Sequence, residues 1–245
     1  MVGLAGVTWV TLGGASLRRE GRRMAALLRD GDIASARTQL GHLCGRDPAT
    51  LDGAELARAT VESVAENTSD AVVAPLCWAA VAGLPGVVGY RAINTLDAMV
   101  GHRTDRYRRF GWAAARLDDL ANLVPARLTT LLTCVLAPLV GGKIGTAARI
   151  VRRDGRRHPS PNAGLCESAF AGALGVRLGG VNTYDGSIEQ RGPHGDGGSP
   201  TPDDIERSAR LSAAVGLAAA GVLVVLSVVS PVGRVRRVCR RRRVA

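Results

Sequence analysis

Aromatic residues make up only 3% of this 245-residue chain, although 46% of it is hydrophobic. That shortage speaks against a β-sandwich, whose strands draw on aromatic and β-branched side chains. Cysteine is scarce as well: Cys44, Cys77, Cys134, Cys166 and Cys239 are odd in number and never fall in a CxxC pair. Neither a zinc site nor a disulfide framework fits that pattern, so reduced, mostly buried thiols are expected. No neighbouring pattern marks Cys166 as a nucleophile. Phosphate and hydrolase fingerprints are missing too, with no GxGxxG, GxSxG or HExxH. Gly141-Gly142-Lys143-Ile144-Gly145-Thr146 fails as a P-loop, because Ile144 follows Lys143 and no strand precedes it. What is abundant is Ala, Val, Leu and Gly, with a mean hydropathy of +0.09. Small apolar residues let membrane helices approach closely. The expected fold is mostly α, a multi-helix integral membrane protein with polar helical and loop segments on the cytoplasmic side.

The net charge of +11 invites a nucleic-acid reading, which its distribution weakens. Arg234, Arg236, Arg237 and Arg240 to Arg243 follow directly on the apolar run from Leu211 to Gly233. A basic cluster at the end of a spanning segment is the positive-inside signature. No zinc-finger spacing or RNP-like motif accompanies it, so a lipid bilayer is the expected partner and nucleic acid is not. Residues 1–17 read as an N-terminal membrane segment, the remainder of a longer one. Residues 18–148 read as a helical core, 149–210 as a Gly/Pro-rich polar region, 211–233 as a transmembrane helix and 234–245 as a basic cytoplasmic tail. Within the core, the uncharged stretch from Ala71 to Tyr90 could cross a bilayer of about 30 Å, yet Gly83-Leu84-Pro85-Gly86 interrupts it. The shorter run from Leu128 to Gly142 carries Pro138. Arginine-rich segments follow Leu17, Tyr90, Gly142 and Gly233. Single straight crossings cannot place all of them in the cytoplasm; one resolution makes the Pro-broken stretches at 71–90 and 128–142 re-entrant or buried hairpins.

Residues 61 to 127 carry the polar groups best suited to chemistry. Glu62, Glu66 and Asp70 fall at i, i+4 and i+8, an acidic stripe whose like charges repel unless a cation sits among them. Mg²⁺, with its preference for oxygen, is a natural guest. Arg91, Asn94 and Asp97 share a helix face three residues apart, and Asp118 pairs with Asn122 at i, i+4. Asp119 is beside them, and Arg127 follows the Pro125 break. Such sets suit a nucleotide polyphosphate with its metal. Any one of these residues is equally consistent with a solvated helix face or a structural ion pair; the constellation favours a polar cavity. A transporter or non-catalytic membrane subunit could use the same groups to line a pathway, although no internal repeat supports that. In the Gly/Pro-rich region, His158, Asn162, Glu167, Arg177, Asn182, Tyr184 and Asp196 are interleaved with glycines that permit close backbone approach. That region is expected to fold against the 61–127 cluster rather than hang as a linker.

The wording of these motifs resembles a known family. ARxxLxxLxGRD over Ala36 to Asp47 is followed by VESVAENTSDxVVAPL, YRxxNTLDxMVGHR, FGWAAARLDDLANLVPARLT, HPSPNAG and AGALGVRLGG. Together they are similar to the cobinamide-phosphate synthase (CobD/CbiB) family of cobalamin biosynthesis, from about residue 16 to 210. The resemblance implies a multi-pass inner-membrane enzyme with its active face in the cytoplasm. Its members join adenosylcobyric acid to (R)-1-amino-2-propanol or its O-phosphate with ATP and Mg²⁺, giving adenosylcobinamide or its phosphate. It further implies contact with other enzymes of late cobalamin assembly. On that basis Asp97, Arg91, Asp119 and Arg127 are expected to be catalytic. Glu66, Asn67, Asp70, Asn94, Asn122, His158, Asn162 and Asn182 are expected to bind ATP or substrate, with Glu66, Asp70, Asp97 and Asp118 as metal ligands. Leu165-Cys166 stands where the family has Trp-Pro after PNAG, and Ala71 stands where Gly follows ENTSD. The family's N-terminal membrane segments, with their His-Pro loop, have no counterpart here.

Overall fold

A computed structural model describes residues 13–101, 111–184 and 187–229, leaving aside the side chains of 183–190. The N-terminal apolar stretch up to residue 12 and the basic tail both lie outside the described residues. The architecture is mostly helical. Helix α1 (Gly14–Arg29) is amphipathic and buries Leu17, Gly21, Met24 and Ala25. After α2 (Ile33–Leu40), the central helix α3 (Gly53–Thr68) starts at a capping box. There Glu55 N–H donates to Asp52 at 2.8 Å and Asp52 N–H donates to Glu55 at 3.0 Å. Both faces of α3 are buried, Glu62 included.

A single π-helical turn, Ser69–Val73, joins α3 to α4 (Ala74–Val100). The chain doubles back inside α4. Gly83 adopts φ +66°, ψ −144°, and Pro85 follows two residues later. Gly86 then lies so close to the Trp78 carbonyl that a Cβ there would overlap it. The reversal returns the Tyr90 hydroxyl to within 2.9 Å of the Asp70 carbonyl oxygen, which a straight helix of this length could not do. The hairpin expected of 71–90 is therefore present. The run containing Pro138 does not reverse: α6 (Leu123–Leu136) continues into a 3₁₀ turn, Ala137–Val140. Proline is tolerated there because it stands at the start of a new turn, where its missing N–H is no loss.

Helix α5 (Trp112–Ala121) packs against α4, and α7 (Ile144–Asp154) lies on α8 (Ala163–Leu174). Nearly every side chain of α8 is buried, so the Gly/Pro-rich region contributes a core helix. It also contributes an antiparallel hairpin, β1 (Leu178–Tyr184) and β2 (Ser187–His194), which the composition does not announce. Helix α9 (Pro202–Val229) begins nine residues before the apolar run expected to span. Its first turns pack on α1, where Arg29 meets Asp203 and Glu206 at 2.6 Å each. Its last turns present Val222, Val225 and Val229 outward, as α4 presents Met99 and α6 presents Leu131.

Among the described residues, three helical stretches are long and apolar enough to cross a membrane: Gly53–Val100, Leu123–Val140 and Pro202–Val229. Outward apolar faces of this extent suit hydrocarbon better than water. These features describe a membrane protein.

Candidate functional site

Three polar clusters converge around α3 and the hairpin within α4. The first centres on Glu62, whose side chain is only 2% exposed. Arg46 donates to one carboxylate oxygen at 2.5 Å, while Arg58 at 3.2 Å and the Gly179 N–H at 2.7 Å reach the other. Arg58 also donates to Asn182 Oδ1 at 3.0 Å and to the Gly179 carbonyl at 2.7 Å. Gly179, at φ +81°, lets β1 approach this closely. Two guanidinium groups and an amide compensate one buried carboxylate, which is the arrangement a buried charge requires.

The second cluster lies between the return arm of α4 and α5. Asp118 accepts from Asn94 Nδ2 at 3.2 Å and from Asn122 Nδ2 at 3.0 Å, one bond to each oxygen. Arg91 donates to Asn94 Oδ1 at 3.3 Å, and the Tyr90 hydroxyl lies 3.1 Å from Asn122 Oδ1. Asp70, in the π-turn, is within electrostatic reach of Asp118, Glu66, Asp97 and Arg91. Burial raises the Asp118 carboxyl above its usual range, opposed by the two amide bonds. Among the described residues no arginine, lysine or histidine forms an ion pair with Asp118. The π-turn offsets the helix register just where Asp70 must face this cluster, a common setting for functional side chains.

The third cluster joins α3, α8, β2 and the loop before α8. Arg191 Nη1 lies 3.5 Å from Glu66 and 3.3 Å from Glu167. His158 Nε2 stands 3.6 Å from Glu167 Oε1, and His194 Nε2 stands 3.5 Å from Glu167 Oε2. Ser168 Oγ meets His194 Nδ1 at 3.0 Å. Burial, helped by Arg191 and His194, pushes the His158 imidazole down to about 3, and burial lowers His194 as well. Burial raises Glu167 well above the carboxylate range, reinforced by Glu62 and Glu66.

The predicted site residues separate accordingly. Arg91, Asn94, Asp118, Asn122 and Asp70 come together around the α4 hairpin, with Asp97 nearby, its carboxylate against Gly101. Arg127 Nη1 donates to Asn162 Oδ1 at 3.0 Å, and Asn162 Nδ2 donates to the Asp119 carbonyl at 2.8 Å. The HPSPNAG loop is thus docked onto α5 and α6, and is not a linker. Several expected roles change. Asn162 and Asn182 are 6% and 2% exposed, with their carboxamide oxygens taken by Arg127 and Arg58. They position guanidinium groups and are not open to a ligand rim. His158 is too deeply buried to meet a solvent-borne phosphate. Asn67 Nδ2 bonds back to Ser63 on its own helix at 2.9 Å. The Asp119 carboxylate turns to Arg116 at 3.6 Å, and Asp196 pairs at the surface with Arg149 and Arg153. Among the described residues, only Glu66 of the four expected metal ligands belongs to a three-residue group whose ligand atoms lie within 4.8 Å of one another, which is Glu66, His158 and Glu167. Cys166 is buried and its thiol raised by that burial, in keeping with an inert role.

Sequence reasoning gave no site role to Arg46, Arg58, Tyr90, Arg191 and His194. Arg46 stands in the GRD phrase, a usable signal. Arg191 and His194 lie on a hairpin whose glycine-rich sequence carries no period-2 pattern, so nothing announced them.

Comparison with known proteins identifies the family. Residues 1–212 match the family model described as CobD/Cbib protein. A "Cobalamin biosynthesis protein CobD" from Mycobacterium tuberculosis is 56% identical over 222 residues, covering 91% of this chain and 71% of that protein. Proteins of the same name from Geobacter metallireducens and Rhodobacter capsulatus are 53% and 51% identical. Those matches cover 73% and 74% of this chain, and 56% and 57% of the relatives. No solved structure matches. With most of its length matched, this chain belongs to the CobD/Cbib protein family of cobalamin biosynthesis.

Proposed function

We propose that the chain catalyses ATP-dependent amide formation. A propionate carboxylate of adenosylcobyric acid joins the amine of (R)-1-amino-2-propanol or its O-phosphate, yielding adenosylcobinamide or its phosphate. The supporting observation is Asp118, held by the amides of Asn94 and Asn122 without an ion-pair partner among the described residues, beside Asp70, Asp97 and Arg91. Carboxylate plus amine is uphill in water, so the carboxylate first attacks the γ-phosphorus of ATP. An O–P bond forms as the bond to ADP breaks. The amine then attacks the acyl carbon, phosphate leaves, and the nitrogen loses a proton.

Oxygen-only donors at Asp70, Asp97 and Asp118 fit Mg²⁺, and the two amide bonds leave lone pairs on Asp118. That ion would offset the charge of the nucleotide phosphates. Arg91 and Arg127 supply guanidinium donors for phosphate oxygens. Asn94 and Asn122 fix Asp118, and Asn162 fixes Arg127. Because ATP is a cytoplasmic nucleotide, these groups are reached from the cytoplasmic side of the inner membrane. Membranes carrying this chain, given ATP, adenosylcobyric acid and either amine, should form the amide and release phosphate. Product formation that ignores ATP, or no product with either amine, would reject this reading.

A further inference from the structure

The third cluster holds more polar atoms than its own contacts satisfy. His158 Nε2, Glu167 Oε2 and His194 Nε2 are buried without a hydrogen-bond partner. The side chains of His158, Glu167 and His194 are 4%, 0% and 0% exposed, and an unmade hydrogen bond at such depth is costly. Glu66, at 32% exposure, is the side through which the cluster opens. One ligand atom each from Glu66, His158 and Glu167 lies within 4.8 Å of the others, so a small inward shift would bring all three onto one ion.

We propose that Glu66, His158 and Glu167 bind a divalent transition-metal cation, with Arg191 serving as the counter-cation when the metal is absent. One imidazole and two carboxylates form a mixed nitrogen–oxygen donor set, which suits Zn²⁺ or Mn²⁺ better than Mg²⁺. His158 changes tautomer for this, because its Nδ1 accepts the Ser160 N–H while no metal is bound. Its Nδ1 lies 2.9 Å from the Ser160 N–H and 3.4 Å from the Ser160 carbonyl oxygen, so either tautomer has a backbone partner. When Nδ1 carries the proton and donates to that carbonyl, Nε2 offers its lone pair to a metal. The Arg191 guanidinium, 3.5 Å from Glu66 and 3.3 Å from Glu167, occupies the position of the charge that a metal would supply. The two cations therefore compete. This site is separate from the Asp118 cluster, and its metal binding does not depend on the amide-forming reaction.

The test is calorimetric titration of the full chain in detergent with Zn²⁺ alone, in excess Mg²⁺, with metal content measured after desalting. One Zn²⁺ per chain is expected, undisturbed by Mg²⁺. His158→Gln and Glu167→Gln should each weaken binding by more than the roughly 10–100-fold that loss of a supporting contact costs. Arg191→Gln should tighten it. If a buried variant does not fold, Glu66→Gln, at the open side, takes its place. Absence of saturable Zn²⁺ binding would overturn the proposal. So would displacement by Mg²⁺, unchanged affinity in the ligand variants, or weaker binding in Arg191→Gln.

Discussion

Glu62 and Asp118 are two carboxylates whose surroundings are opposites. Glu62 is surrounded by Arg46, Arg58 and the Gly179 N–H, so its charge is spent on the fold. Asp118 is held by neutral amides, so its position is fixed while its charge stays available. The first arrangement ties α3 to β1 and to the loop carrying Arg46; the second leaves a place for a cation. A buried ion pair is weak evidence of function, whereas a positioned but uncompensated carboxylate invites a ligand.

The hardest break falls on the compensated side. Glu62→Ala would strand Arg46, 2% exposed, with its main charge partner gone, and should destabilise by about 3–5 kcal/mol. Thermal melting in detergent should show a large drop or no folded protein. Asp118→Asn should do the reverse. An amide there keeps the shape and removes a burial-penalised charge but turns its NH2 toward one of the two amide donors, so stability should fall by only about 1–2 kcal/mol while turnover falls at least ~100-fold. A large loss of stability without a loss of turnover would erase the distinction.

Between these extremes is the buried histidine of the third cluster. His158 is held at about 3, so as pH falls below its ordinary value the unfolded chain takes up a proton that the folded chain refuses. Stability should therefore decline by about 2–3 kcal/mol from pH 6.5 to pH 4.5, and His158→Gln should flatten that limb in pH-dependent melting. Glu167 acts in the other direction: its raised carboxyl favours the fold at low pH and weakens it as pH rises through the folded value. Asn162→Ala removes the brace on Arg127 and should cost about 1–2 kcal/mol, raising the apparent KM for the phosphate-bearing substrates while leaving membrane insertion intact. The smallest effect belongs to the surface. Asp196→Ala breaks half-exposed pairs with Arg149 and Arg153 and should shift stability by less than about 1 kcal/mol.

The amino-acid sequence by itself determined the helical class, the candidate spanning runs and the family, because these rest on local composition, period and wording. It also determined that 71–90 could not run straight, since Gly83 and Pro85 break a helix wherever they occur. The acidic stripe running from α3 into the π-turn was equally legible from its spacing. Only the tertiary structure decided that its members part company: Glu62 is neutralised by Arg46 and Arg58, Glu66 turns to Arg191, and Asp70 faces the Asp118 network. It alone brought Asn162 to Arg127, Asn182 to Arg58, and His158 and His194 to Glu167. Spacing along a helix says which side chains share a face. What neutralises, buries or braces them comes from segments up to 125 residues away, and that pairing exists only once the chain has closed on itself.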